Sequence, residues 1–472
     1  MGQDDLLSST ALELARAIRD KQVSPLEALE ASLARVDELN PELNAVIWRD
    51  DDEARAAARE AGEKIARSAP DELPPFHGVP IPVKDLTPVA GWPLTYGSNG
   101  APGGVSDRSE LVVEAFRRAG FVLACRTNTP EFGAIPATEN LRYGITRNPR
   151  VIERTPGGSS GGAGAAVASG MFSVAHGNDG GGSIRIPASC CGLVGLKPSR
   201  GRVPASVISW GGMAVEGVLT KDVADAAAIL DVISGPEATQ WYNAAPPSRP
   251  FLSEVGTDPG HLRVGLVEDA PLGMPLDAQC RAAAEEAASA LENLGHEVIP
   301  VSGLFPMEMI GPFLNVVNAA LAAYEGIDWA KTEPHTQAAR AAASEVDSLA
   351  YVASMQELQR TSRDLVGRFV DGPGRLDVLV SPTLTIPPPL AGQVLAEVHS
   401  SAGGGAPPMS VFQMAALTSP FNVTGQPAIS LPTHTGADGA PIGVQFVAGP
   451  WGESLLIRLA SQLEGQMMLA GV

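Results

Sequence analysis

The stretch from Thr155 to Lys197, TPGGSSGGAGAAVASGMFSVAHGNDGGGSIRIPASCCGLVGLK, constrains this chain more than any other. It carries two glycine-rich serine clusters, at 157–162 and 180–183, joined by small apolar residues. Glycine at that density weakens helices and strands through backbone entropy and lost packing. It is tolerated where the backbone needs positive φ, or where its amides must come close to a ligand. A serine that closes three glycines, Gly180-Gly181-Gly182-Ser183, therefore reads as a nucleophile beside its own backbone amides.

Composition narrows what such a serine could serve. At 472 residues the length prior suggests about three domains, yet no stretch has the composition of an interdomain linker. Hydrophobic residues make up 44% and charged ones 18%, which marks a globular, well-buried chain. A net charge of −20 argues against nucleic acid and anionic membrane surfaces as partners. No apolar run reaches transmembrane length, and the acidic start lacks a signal-peptide pattern. Cys125, Cys190, Cys191 and Cys280 fit neither a disulfide framework nor a metal site, so buried free thiols in the cytoplasm are expected.

Local signals place several elements. Thr10 with Glu13 forms a capping box before a helix to about residue 20. Ser24, Pro25 and Glu27 open another, in which Leu26, Leu29, Leu33 and Val36 recur and which Asn40-Pro41 ends. Further helices are expected over 52–67, 110–119 and 223–233. Residues 262–301 read as strand, helix, strand, as in an α/β layer, and 376–382, 428–432 and 442–447 as the last strands. The segment 400–408, SSAGGGAPP, is a loop candidate near function.

Several catalytic motifs fail. Residues 158–162 satisfy GxSxG with Ser160 as nucleophile, but that elbow also needs a strand-to-helix turn, a later acid and a later histidine. Histidines follow at 176, 261, 296, 335, 399 and 434, none in a motif-like segment. No serine stands three residues before a lysine, no complete GxGxxG follows a strand, and no Gly-Lys-Ser/Thr occurs. HExxH is absent and His296-Glu297 is an isolated pair, so no metal or cofactor is expected. What survives is a serine hydrolase with lysine as base. That requires a lysine whose ammonium is disfavoured by desolvation. Of six lysines, Lys84 follows an apolar run containing Val79, Ile81 and Val83. Two readings stand at this point: a buried neutral base, or a strand-end lysine paired with Asp85 or another carboxylate.

GVPIPVKD, RTNTPEFG, PGGSSGGAGAA and GNDGGGSIRIPAS, followed by GQPAISLP and PIGVQFVAG, resemble the amidase signature family in content and order. The resemblance runs from the helix at Ser24 to about Glu464 and is weakest over 300–415. Seventy-five residues separate Lys84 from Ser159 and 24 separate Ser159 from Ser183, matching the family's triad positions. It implies one large α/β domain over 1–472 with a central mixed β-sheet covered by helices: a helical segment at 1–70, the signature core at 76–235 and a variable pocket region at 300–415. It also implies Ser183 as nucleophile, Ser159 as bridging serine after a cis Gly158–Ser159 peptide, and Lys84 as base. Ser160 is then a supporting hydroxyl, and Gly180, Gly181, Gly182 and Ser183 supply oxyanion-hole amides. Asp179 and Arg185 brace the loop, with a structural or surface role open for Arg185. Gly180 replaces a bulkier family residue and loosens the space beside the nucleophile. Arg126 replaces a frequent lysine and touches packing only. Ile186, where the family's tRNA-dependent glutaminases usually carry Gln, speaks against that role.

Within the family the pattern looks most like bacterial aryl-amide, nylon-oligomer and urethane-cleaving amidases. The resemblance therefore implies amide hydrolysis of a small molecule by a monomer or homodimer. The alternatives are carbamate (urethane) or ester hydrolysis by the same route, and a catalytically silent binding subunit. Gly133, Ile135, Phe412 and Met414 are candidate pocket residues, with core packing as the other reading for each.

Overall fold

The computed structural model describes residues 3–467 apart from 306, 371 and 373; the ends of the 1–472 domain assignment thus lie outside the described residues. Thirteen strands are present among them: β1 Val46–Arg49, β2 Pro80–Lys84, β3 Val122–Thr127, β4 Glu139–Asn140, β5 Gly144–Ile145, β6 Val174–Asp179, β7 Val194–Lys197, β8 Val215–Thr220, β9 Arg263–Val267, β10 Glu297–Val301, β11 Val378–Pro382, β12 Ala428–Thr435 and β13 Pro441–Ala448. Eight form one mixed sheet in the order β10-β9-β11-β13-β12-β7-β8-β6. Its β9–β10 and β9–β11 pairs are parallel, and the others antiparallel. The β9–β10 crossover is helix Ala278–Asn293, the strand–helix–strand unit expected from 262–301.

Strand alternation sends neighbouring side chains to opposite faces, and the core divides accordingly. Val174, Val218, Val378 and Val380 join the largest apolar cluster, with residues of helices Leu111–Arg118, Val223–Ile233, Ala278–Asn293 and Glu453–Met467. Ala175 and Leu219 face the other way, onto helices Gly161–Ala168 and Arg185–Cys191, and Leu379 joins a third cluster with Leu365 and Phe369. The chain is one large α/β domain with helices over a mixed sheet.

Two expectations change. The helix opened by Ser24 runs from Pro25 through Pro41 to Leu43, and Asn44 in the left-handed region closes it. Just past Pro41 the Asn40 side chain organises the exit: its Oδ1 accepts from the Ala45 and Val46 amides and its Nδ2 donates to the Val46 carbonyl. The 1–70 segment is also not purely helical, since β1 pairs antiparallel with β3. β3 pairs in turn with β2, all five residues of which are buried, and β2 packs beside β6. That adjacency brings Lys84, at the end of β2, to the end of β6 and the second glycine cluster.

Candidate active site

Lys84 is fully buried and its amine lies at the centre of the site. Nζ donates to Ser159 Oγ at 2.8 Å, Ser160 Oγ at 2.8 Å and Asn178 Oδ1 at 2.7 Å. Burial drives its pKa down to about 7, while Glu216 and Asp179 pull it up. Asp85 does not pair with it. Asp85 instead accepts from the Thr95 amide and hydroxyl and stands 3.6 Å from Arg126 Nε. Arg126 therefore does more than pack, which corrects the expectation from sequence: its guanidinium donates to the carbonyls of Pro93, Thr87 and Lys84 and ties down the lysine's own carbonyl and the chain that follows it. Lys197 is equally buried and also pushed down to about 7, by desolvation and then by Arg185. Its Nζ donates to the Pro198 carbonyl, away from the serines.

The Gly158–Ser159 peptide is cis. Ser159 is 2% exposed and Ser160 is fully buried, at the head of helix Gly161–Ala168. Ser160 Oγ donates to the Asn178 carbonyl at 3.2 Å and accepts from Lys84, so it is enclosed rather than raised at a strand-to-helix elbow. Ser183 joins the cluster through its backbone, its carbonyl accepting from the Ser160 amide at 3.3 Å. It also lines a cavity of about 360 Å³, as do Gly133, Ile135, Gly181 and Phe412.

The loop that carries Ser183 is held by a buried ion pair. Arg185 Nη2 and Nε donate to Asp179 Oδ1 and Oδ2 at 2.9 and 3.0 Å, and both side chains are fully buried. Burial would raise the Asp179 carboxyl, but Arg185 holds it well below the usual carboxylate range. Arg185 also donates to Gln445, Asn422 and the Thr418 carbonyl. The surface reading for Arg185 is thereby excluded. Truncating one partner of such a pair strands a buried charge, at a cost of about 3–5 kcal/mol.

Two sequence-predicted site residues stand elsewhere in function. The Gly182 amide donates to Asp179 Oδ1 at 2.8 Å, so it is committed to the loop's own carboxylate rather than open to an oxyanion. Gly182 is needed for shape instead: its φ is +128°, and a Cβ there would come 2.3 Å from Thr418 Oγ1. Met414 does not line the cavity; it is buried behind it with Ile135, Ile186, Val394 and Val398.

Sequence reasoning missed Asn178, although it lies inside the GNDGGGS motif. It also missed His176, whose Nδ1 accepts from the Lys84 amide at 3.3 Å while Nε2 meets Glu216 at 2.8 Å. Trp210 gave no local signal. The space that Gly180 leaves is not loose, because a Cβ there would stand 2.8 Å from the Trp210 ring, and that ring lines the cavity with Phe313 and Val423. Gly180→Val is expected to displace the indole and lower kcat/KM on aryl substrates about tenfold or more, since small misplacements near the reacting groups are costly. Trp210→Ala should recover part of the loss in the double variant. A double-mutant cycle on kcat/KM with no coupling between the two positions would refute the interlock.

The family model described as Amidase matches residues 27–457. The chain is 38% identical to a 6-aminohexanoate-cyclic-dimer hydrolase of Paenarthrobacter ureafaciens, over 96% of this chain and 94% of that protein. A solved structure of a 6-aminohexanoate cyclic dimer hydrolase superposes with a TM-score of 0.90 at 36% identity, covering 98% of each chain. A bacterial aryl acylamidase of the amidase signature family superposes with a TM-score of 0.87 at 26% identity, covering 97% of this chain and 96% of the other. With its fold and motifs matched along almost the whole chain, the protein belongs to the amidase signature family and is an amide-bond hydrolase.

Proposed function

We propose that the chain hydrolyses amide bonds of small hydrophobic, aryl-type substrates through an acyl-enzyme on Ser183, with Ser159 relaying protons to Lys84. The observation that carries this reading is the desolvated Lys84 amine bonded to Ser159 Oγ, beside an apolar cavity that Ser183 lines. A neutral lysine has two N–H groups and one lone pair. Asn178 Oδ1 is acceptor-only, and the Ser160 hydroxyl proton is directed to the Asn178 carbonyl. In the neutral form these two acceptors take the N–H groups, and the Ser159 contact reverses so that its hydroxyl donates to the Nζ lone pair.

In the proposed cycle Lys84 takes the Ser159 proton, Ser159 takes the Ser183 proton, and Ser183 Oγ bonds to the substrate carbonyl carbon. The Gly180, Gly181 and Ser183 amides, which have no intramolecular acceptor among the described hydrogen bonds, receive the oxyanion. The relay returns a proton to the leaving amine as the C–N bond breaks. Water then attacks the acyl-enzyme and frees Ser183.

Phe313, Trp210 and Phe412 give the cavity flat apolar walls, and about 360 Å³ suits an aryl amide. Carbamate and ester hydrolysis form the second reading, because backbone amides engage a carbonyl regardless of the atom beside it. Four buried free cysteines are consistent with a reducing, cytoplasmic setting. Initial rates on matched aryl amides, aryl carbamates, aryl esters and aliphatic amides test the assignment. The expected result is kcat/KM at least about tenfold higher for aryl than for aliphatic amides, worth ~1.4 kcal/mol in transition-state binding. A tenfold preference for carbamates over amides would move the assignment to the second reading. A chain that no phenylmethylsulfonyl reagent labels would revert to a binding subunit.

A further inference from the structure

Helices Pro334–Ser344 and Gln393–Ala402 pack together in the region of the cavity wall and bring three metal-ligating side chains to one point. His399 Nε2 stands 3.0 Å from Glu333 Oε2, and His335 Nδ1 stands 3.6 Å from the same oxygen. One ligand atom from each of the three lies within 4.8 Å of the others. The two imidazoles stack, with centroids 5.6 Å apart. Glu333 is held in place from both sides: its Oε1 accepts from the Leu141 amide and its own N–H donates to Glu131 Oε2, each at 2.8 Å.

His335 separates this cluster from an ordinary hydrogen-bonded network. Its side chain is 10% exposed, both ring nitrogens are shielded from solvent, and neither has a hydrogen-bond partner. Buried polar atoms are rarely left so. The residue borders the cavity, but its nitrogens are closed off from it, so a substrate there does not satisfy them. An ion between the three side chains would ligate one of the two.

We propose that Glu333, His335 and His399 form a binding site for a first-row divalent cation of the Zn²⁺ type. Two imidazoles and a carboxylate are a donor set such ions take, at about 2.0–2.2 Å per bond. The amide bond from Leu141 orients the carboxylate as outer-shell contacts do around metal ligands. The site shares no residue with Lys84, Ser159 and Ser183. A bound ion would pin the two helices beside the substrate cavity. The linear sequence hides this site, since the two histidines lie 64 positions apart on separate helices.

The test is titration of the chelator-treated full chain with Zn²⁺ alone by calorimetry, and with Co²⁺ alone by visible absorption. One equivalent of either ion should bind. His335→Ala and His399→Ala should each weaken Zn²⁺ binding at least about 100-fold, because even outer-shell partners are worth about 10–100-fold. His261→Ala, outside the cluster, should leave it unchanged. Where circular dichroism shows that a variant misfolds, the ring ¹⁵N resonances of the wild-type chain decide. Of its seven histidines, two should move to metal-bound positions at one equivalent of Zn²⁺. No stoichiometric binding, binding that all variants retain, or movement of any other number of rings would overturn the site.

Discussion

Ser183→Ala is expected to lower kcat on an aryl amide by about 10⁴–10⁶-fold, as loss of the nucleophile does in other serine hydrolases. No neighbouring hydroxyl can take over. Ser160 is fully buried, with its proton directed to the Asn178 carbonyl and its lone pair to Lys84. Ser159 is 2% exposed, against the lysine amine, and does not line the cavity. The change removes one oxygen and leaves the Asp179–Arg185 brace intact, so substrate binding should survive and the loss should fall on kcat. Steady-state kinetics, with mass spectrometry for the acyl adduct, check this. A variant that keeps more than about 1% of kcat, or still forms the adduct at position 183's neighbours, would remove Ser183 from its role.

Lys84→Met should cost about 10³–10⁴-fold in kcat/KM, the scale of a general base, while keeping much of the buried stem volume. The pH dependence has a fixed sign. Burial lowers the Lys84 pKa from 10.5 to about 7, so the amine is neutral and able to accept a proton above that value, and an ammonium below it. Wild-type kcat/KM should therefore fall about tenfold per pH unit below about 7 and level off above it. The acid limb should vanish in Lys84→Met, whose residual activity has no lysine to protonate. A wild-type profile still rising steeply to pH 10 would mean that Lys84 is not desolvated in solution. The same shift bears on folding. Between about pH 7 and 10.5 the unfolded lysine holds a proton that the folded one lacks, so this group's contribution to stability improves as pH rises through that window.

The surroundings of the two buried lysines also explain why Lys84, and not Lys197, is proposed as the base. Both lysines are buried and both are driven to about 7, so desolvation alone does not select between them. Hydrogen-bond geometry does: Lys84 reaches both serines of the first cluster, and Lys197 reaches only a carbonyl.

Much of the site was legible because its requirements are local. Glycines 180–183, the paired serines 159 and 160 and the apolar run into Lys84 are each a property of a few adjacent residues. The capping boxes at Thr10 and Ser24 formed as read, since a side chain bonding the amide three positions on depends on little else. Reading failed where a residue's role depends on which atoms the folded chain turns toward it, whether a few positions away or far along the sequence. Gly182 looked like a fourth oxyanion donor until its amide met Asp179, and Met414 like a pocket residue until it packed behind Ile135. Pro41 looked like a helix stop, yet the helix runs on to Leu43 and Asn44 closes it.

The sequence by itself determined the family, the α/β layering and the identities of Lys84, Ser159 and Ser183 as candidates, because motif order and strand or helix periodicity are written in neighbouring positions. Only the tertiary structure chose between the two readings of Lys84. Asp85 is next to it in the chain, yet it turns to Thr95 and Arg126, while Ser159, 75 residues away, receives the amine. The same holds for Gly180, whose missing side chain is filled by Trp210 from another loop. A buried amine or a vacated volume must be satisfied by whatever the fold brings near, and chain proximity does not decide that.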